Sequence, residues 1–183
     1  PTVRSRCAKI EFRLPTAAQA SEWLSAAPRN VKEAPLLLRL ASGSPQRALQ
    51  YADSGFIKLR GQLLVDLEGL LKGRADPVAC AARWKTAGAD TSLTWLYGVL
   101  ADLIKLSASR NTQSGIINGD WTDQLLDLLL PIDNNELYNL LQYVSESLRM
   151  LSGPLDEQLL LEDVLIRVAR LAKQSSTMKS QTA

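Results

Sequence analysis

Leucine recurs at helical spacing along most of this chain, and that pattern limits what it can fold into. Leu59, Leu63, Leu67, Leu70 and Leu71 follow it, as do Leu93, Leu96, Leu100, Leu103 and Ile104. Residues three and four apart share one face of an α-helix, so each run makes an apolar stripe. Of the 183 residues 34 are Leu and 21 are Ala, against two Phe. Leu and Ala lose little on entering a helix. The expected fold class is therefore all-α.

One stretch departs from the pattern. In Ala8-Lys-Ile-Glu-Phe-Arg-Leu14 apolar and charged residues alternate, the period of a strand with one buried face. No second strand-like run offers a partner, so a short extended N-terminal segment is expected, ended by Pro15. The chain starts at Pro1 within this extended run and reads as a piece of something longer.

Three short helices follow. Thr16 and Gln19 form a capping box ahead of Ala20, Trp23 and Leu24, and Pro28 stops that helix. Asn30 to Glu33 opens a second, with Pro35 in its first turn, Leu36, Leu37 and Leu40 inward, and Gly43 as C-cap. Ser44-Pro45 opens a third that buries Ala48, Leu49 and Ala52. Asp53-Ser-Gly55 is the best candidate boundary. Longer helices are expected over 56–72, from Asp76-Pro77 to about Lys85, over 91–108, over 123–130 and from Asp133 to Leu151, with a loop from Ser109 to Gly119. Asp156 caps a last helix, and residues 174–183 read as a frayed tail.

The inventory of reactive groups is short. With no His, the Ser-His-Asp and Cys-His nucleophile pairs, imidazole acid–base chemistry and His-ligated metals are excluded. Cys7 and Cys80 cannot supply the ligands of a structural zinc site, and two lone cysteines fit reduced, cytoplasmic usage. No apolar run reaches membrane-spanning length, and no basic stretch leads into an apolar signal-like one. No Gly-rich phosphate loop is present, since Ser42-Gly43-Ser44 lacks a following Gly-Lys. The pairs Asp156-Glu157 and Glu162-Asp163 are adjacent in sequence, so their members do not share a helix face. None of Trp23, Trp84, Trp95 and Trp121 sits in a run that alternates aromatic residues with Arg and Lys, which favours packing over base stacking.

Two features stay open on the residues alone. Residues 1–90 carry 14 Lys/Arg against 8 Asp/Glu, whereas residues 91–183 carry 7 against 11. Such asymmetry suits either an electrostatic role for the front half or two solvated faces. In the last helix, Leu159, Leu160, Leu161, Val164, Leu165, Ile166 and Val168 cover more than one stripe. A helix apolar over most of its girth is either central to its own bundle or part of a subunit interface. Leu160, Leu161, Val164, Leu165 and Val168 are the candidate interface residues.

Three elements carry a family resemblance. Ser5-Arg6-Cys7, ahead of the strand-like run to Phe12-Arg-Leu-Pro15, resembles the SRC element of clamp-loader subunits, members of the AAA+ ATPases; Ala8 stands where Gln is usual. Arg39-Leu-Ala-Ser-Gly-Ser-Pro-Gln-Arg-Ala-Leu49 resembles the Gly-Ser element that opens the last helix of their lid domain. Leu159-Leu-Leu-Glu-Asp-Val-Leu-Ile166 is similar to the C-terminal helix of the non-hydrolysing bacterial subunit.

The resemblance implies a domain order. Residues 1–14 would be the tail of an AAA+ ATPase-like domain, 15–53 a three-helix lid, 54–173 a helical collar by which five subunits form a ring, and 174–183 a flexible tail. Hydrolysing members have an Arg two residues after the Ser of the Gly-Ser element. Here that residue is Gln46, with Arg47 about 100° further round the helix, which points to the non-hydrolysing subunit. Arg6 would be an arginine finger acting in trans on a neighbour's nucleotide, with Ser5 and Cys7 holding the turn. The piece itself would then be no enzyme and need no cofactor. Its partners would be other clamp-loader subunits, with sliding clamp and primer–template DNA reached through the complex, inside a replicative polymerase holoenzyme. The alternatives are the C-terminal part of a hydrolysing subunit of the same family, or a helical adaptor with an apolar groove for a partner helix.

Overall fold

Helix-stop signals in the sequence divide the chain into the elements expected of it. The computed structural model describes residues 6–8, 15–26, 33–108, 115–129 and 132–181, with side chains described through Leu171. Among these residues there are nine α-helices and one 3-10 turn, and no strand. Most of the strand-like run 8–14 lies outside the described residues, as do Pro28, the Asn30 start, loop residues 109–114 and Pro131. No described helix is long and apolar enough to cross a membrane.

The chain forms two compact units, Pro1–Ser54 and Gly55–Ala183. In the first, α1 (Ala17–Ala26), α2 (Ala34–Leu40) and α3 (Pro45–Ser54) pack pairwise on one another. The capping box is reciprocal: Thr16 N–H donates to Gln19 Oε1 at 2.9 Å, and Gln19 N–H to Thr16 Oγ1 at 3.3 Å. α2 ends in a left-handed turn, Ser42 at φ 52° and Gly43 at φ 82°, with Gly43 N–H bonded to the Leu38 carbonyl at 2.8 Å. Ser44 Oγ then accepts from Arg47 N–H at 3.4 Å. The small core holds Ala20, Leu24, Ala34, Leu37, Leu38, Ala41 and Ala48. Trp23, expected inside, is half exposed; Leu36, Leu40 and Leu49 are partly exposed, and Ala52 is exposed. A helix of seven to ten residues packed on two neighbours covers only a narrow stripe.

The second unit holds α4 (Phe56–Leu71), α5 (Pro77–Ala87), α6 (Ala89–Ala108), a 3-10 turn (Gly119–Trp121), α7 (Thr122–Leu129), α8 (Asn134–Met150) and α9 (Glu157–Gln181). α9 packs against α5, α4 and α8, and α6 packs against α8, α7 and α5. Asp76 and Asp156 cap their helices, accepting from Ala79 N–H at 3.0 Å and Gln158 N–H at 2.7 Å. At Asp133 the cap is made to Asn135 N–H at 2.8 Å. α9 continues to Gln181, past the expected end near residue 173. The Ser/Thr/Gln/Lys run contains neither Gly nor Pro to break it.

The core of this unit is leucine, stacked from α4, α6 and α9, with one aromatic pair. Trp84 and Trp95 are buried, their rings 5.9 Å apart and edge to face at 76°. Ser92 Oγ donates to the Trp84 carbonyl at 3.2 Å, which ties α5 to α6 across Gly88, where φ is 104°.

Candidate functional site

Arg6 and Cys7 are exposed, and Ser5 lies outside the described residues. Gln46 and Arg47 occupy the first turn of α3, both exposed. The five candidate interface residues of α9 have a different environment. Leu160 is 9% exposed, and Leu161, Val164, Leu165 and Val168 have no exposed surface. They fill the unit's own core, beneath α4, α5 and α8. A side chain sealed inside its own unit touches a second chain only if the unit opens. Among the described side chains of α9, the large apolar one left exposed is Leu159, at 64%.

Four polar clusters lie in the second unit. In the first, Asp66 of α4 receives three bonds from α5: Arg83 Nη2 at 2.5 Å, Arg83 Nε at 3.3 Å and Trp84 Nε1 at 3.1 Å. Arg83 Nη2 also donates to Cys80 Sγ at 3.1 Å. Burial pushes the Cys80 thiol above its ordinary range, and the Asp66 charge adds to this while Arg83 opposes it. The hydrogen bond to Asp66 makes Arg83 hold its proton more firmly. A buried thiol kept protonated is inert, so the cluster is a cross-tie between helices.

The second cluster joins α8 to α9. Tyr143 donates a short hydrogen bond to Asp163 Oδ2. Arg167 donates from Nε to the same oxygen at 3.1 Å and lies over the Tyr143 ring, 3.8 Å from its centre. Burial, and then the bond to Asp163, raise the Tyr143 phenol above its ordinary range. For Asp163 burial pulls upward, but the bonds from Tyr143 and Arg167 and the charges of Arg167 and Arg170 bring it below the ordinary carboxylate range.

In the third, Arg60 is 1% exposed, pairs with Asp120 at 2.8 Å, and lies 3.5 Å from the centre of the Trp121 ring. In the fourth, Asp102 has no exposed surface and accepts from Ile117 N–H at 2.9 Å, Asn118 N–H at 2.8 Å and Asn118 Nδ2 at 2.8 Å. Together they hold the 116–121 segment against α4 and α6.

Sequence reasoning missed these clusters, although signals exist. Arg60 falls among Phe56, Leu63 and Leu64 on the buried stripe of α4, and Asp102 among Val99, Leu103 and Leu106 on α6. A charge inside an apolar stripe needs a partner or a ligand, and here turn residues supply partners. Asp163 and Arg167 stand four apart on α9. Asp66 with Arg83 and Trp84 had no local signal, because its partners lie on the next helix. Among the described residues no group of three or more Cys, Asp or Glu is arranged to hold a metal ion.

The class these features define is an all-α packing unit whose buried polar groups bind its own helices and turns. The chain belongs to the family described as DNA polymerase III, delta subunit, C terminal, which matches residues 54–170, more than half its length and nearly all of α4 to α9. It is also similar to the DNA polymerase III subunit delta' of Pseudomonas aeruginosa, at 33% identity over 106 residues. That alignment covers 55% of this chain and 32% of the relative, so the chain spans about a third of the protein it resembles.

Proposed function

We propose that this chain is the lid and collar part of a non-hydrolysing, delta'-type clamp-loader subunit. Its task is assembly: the second unit is a collar that holds the subunit in a ring with hydrolysing subunits and delta, and the ring loads the sliding clamp at primer–template junctions. The observation that carries this reading is the match over residues 54–170, which takes in all of the second unit's leucine core but Leu171. The delta' name of the relative supports the choice of subunit, and Gln46 in place of the usual Arg supports absence of nucleotide sensing in the first unit. On this reading the chain neither binds nor hydrolyses ATP. Exposed Arg6 is its contribution to chemistry, a planar, permanently charged guanidinium presented to the developing phosphate charge on a neighbour.

The test is co-assembly. The chain is mixed with a hydrolysing clamp-loader subunit and delta, and the mass is read by light scattering on a sizing column. A defined hetero-oligomer with one copy of the chain is expected. Elution as a lone monomer beside competent partners overturns the proposal. Arg6→Ala is then expected to leave assembly intact and lower the DNA- and clamp-stimulated ATPase of the longer subunit's complex by about 10³-fold, the low end of arginine-finger effects.

A further inference from the structure

α4 and α5 leave between them a groove of about 890 Å³. Its walls include Leu59, Gly61 and Val65 of α4 and Ala82 and Ala87 of α5. Val65 is 69% exposed, the most exposed large apolar side chain among the described residues. Leu59, placed by its spacing on the buried stripe of α4, is partly exposed here instead.

Gly61 is the telling residue. Glycine inside a helix is less stable than alanine, so its presence asks for a cause. The other glycine of α4, Gly69, has one within the chain: a Cβ there would stand 2.8 Å from the Ala75 Cβ. A Cβ at Gly61 would meet nothing within 4 Å. The folded chain gives no steric reason for glycine at this position, and a backbone approaching the groove from outside would.

Charge narrows the occupant. The carboxylate on the wall, Asp66, is taken up by Arg83 and Trp84. Lys58, at the other end, makes no ion pair among the described residues. An apolar groove between two helices, with Leu63 and Trp84 buried at its base, small residues on its walls and, at one end, an ammonium that makes no ion pair among the described residues, suits a helix with apolar residues at i, i+3 and i+4 and a carboxylate at its edge.

We propose that this groove receives such an acidic-edged amphipathic helix from a neighbouring clamp-loader subunit. The inference rests on the assembly reading above and adds to it the face used and the chemistry of the contact.

The co-assembly mixture tests it with three variants, Gly61→Leu, Val65→Glu and Lys58→Glu, at positions where added bulk or charge meets solvent. Thermal unfolding of each chain alone reports whether the fold is kept. Gly61→Leu and Val65→Glu are expected to weaken entry into the complex at least tenfold in Kd, with a melting midpoint unchanged for Val65→Glu and no lower than wild type for Gly61→Leu. Lys58→Glu is expected to weaken it and to flatten its dependence on salt. Should wild type assemble and all three variants assemble equally well, the groove is not the contact and the function proposal stands. Should wild type fail beside competent partners, both fall. A concentration-dependent dimer of the chain alone, abolished by Val65→Glu, would make the occupant a second copy and overturn the partner named here.

Discussion

Asp102 stands in the middle of α6 with both carboxylate oxygens turned to the 115–118 turn, and Lys105 is 3.9 Å away. Two of its three bonds come from backbone N–H groups. Asp102→Ala would orphan both, at about 1–3 kcal/mol each. A loss of about 2–4 kcal/mol in urea unfolding is expected, with faster amide exchange at Ile117 and Asn118. Unchanged exchange at those two amides would show that the turn holds without the carboxylate. Gly69 gives a second, opposite-looking case. Propensity favours alanine in a helix by about 1 kcal/mol, yet a Cβ here would meet the Ala75 Cβ at 2.8 Å. Gly69→Ala is therefore expected to lower the melting midpoint, whereas Gly61→Ala, with open space around it, raises it.

Among the elements, α9 carries the second unit. It touches α4, α5 and α8, and from Leu160 to Leu171 it buries six apolar side chains. Leu161→Ala is expected to cost about 2–5 kcal/mol, the range for a buried leucine leaving a cavity. Leu159→Ala, two positions earlier and 64% exposed, is expected to stay within about 0.5 kcal/mol. Urea midpoints of the two variants decide between a helix buried in its own unit and one stable without that packing. Much of this was legible in the sequence: the girth of apolar residues on α9 announced burial on several sides. Which body does the burying was not legible, because a leucine in a core and a leucine in an interface carry the same pattern. The three neighbours of α9 come from residues 56 to 150, too far along the chain for local spacing to place them.

At the scale of the whole molecule the titrating groups set a pH range for stability. Cys80 and Tyr143 are raised from ordinary values of 9.0 and 10.0. Their contribution is fully present below those values and is lost as pH rises through the higher values they have in the fold. Asp163 is lowered from 3.8, so its contribution is present above that value and lost as pH falls through the folded one. Being about half exposed, it gives the smaller effect. Stability is thus expected to be flat through neutral pH and to decline above about pH 9. Urea midpoints from pH 4 to 11 check this, with Cys80→Ser and Tyr143→Phe each expected to flatten the alkaline decline. An alkaline limb unaltered in both variants would assign it to other groups.

Fold class, helix starts and the exclusion of histidine chemistry could all be read before any coordinates, since helix propensity, capping and residue inventory are local properties. Thr16 with Gln19, Asp76, and Asp156 cap the helices their neighbours announced. Other features depended on which helices meet. Arg60 and Asp102 find their partners only where the 116–121 segment lies beside them. Leu59 and Leu161 carry the same leucine spacing; packing leaves the first on a groove and closes the second into a core. Burial and partner choice are relations between distant segments, and no window of sequence contains both members.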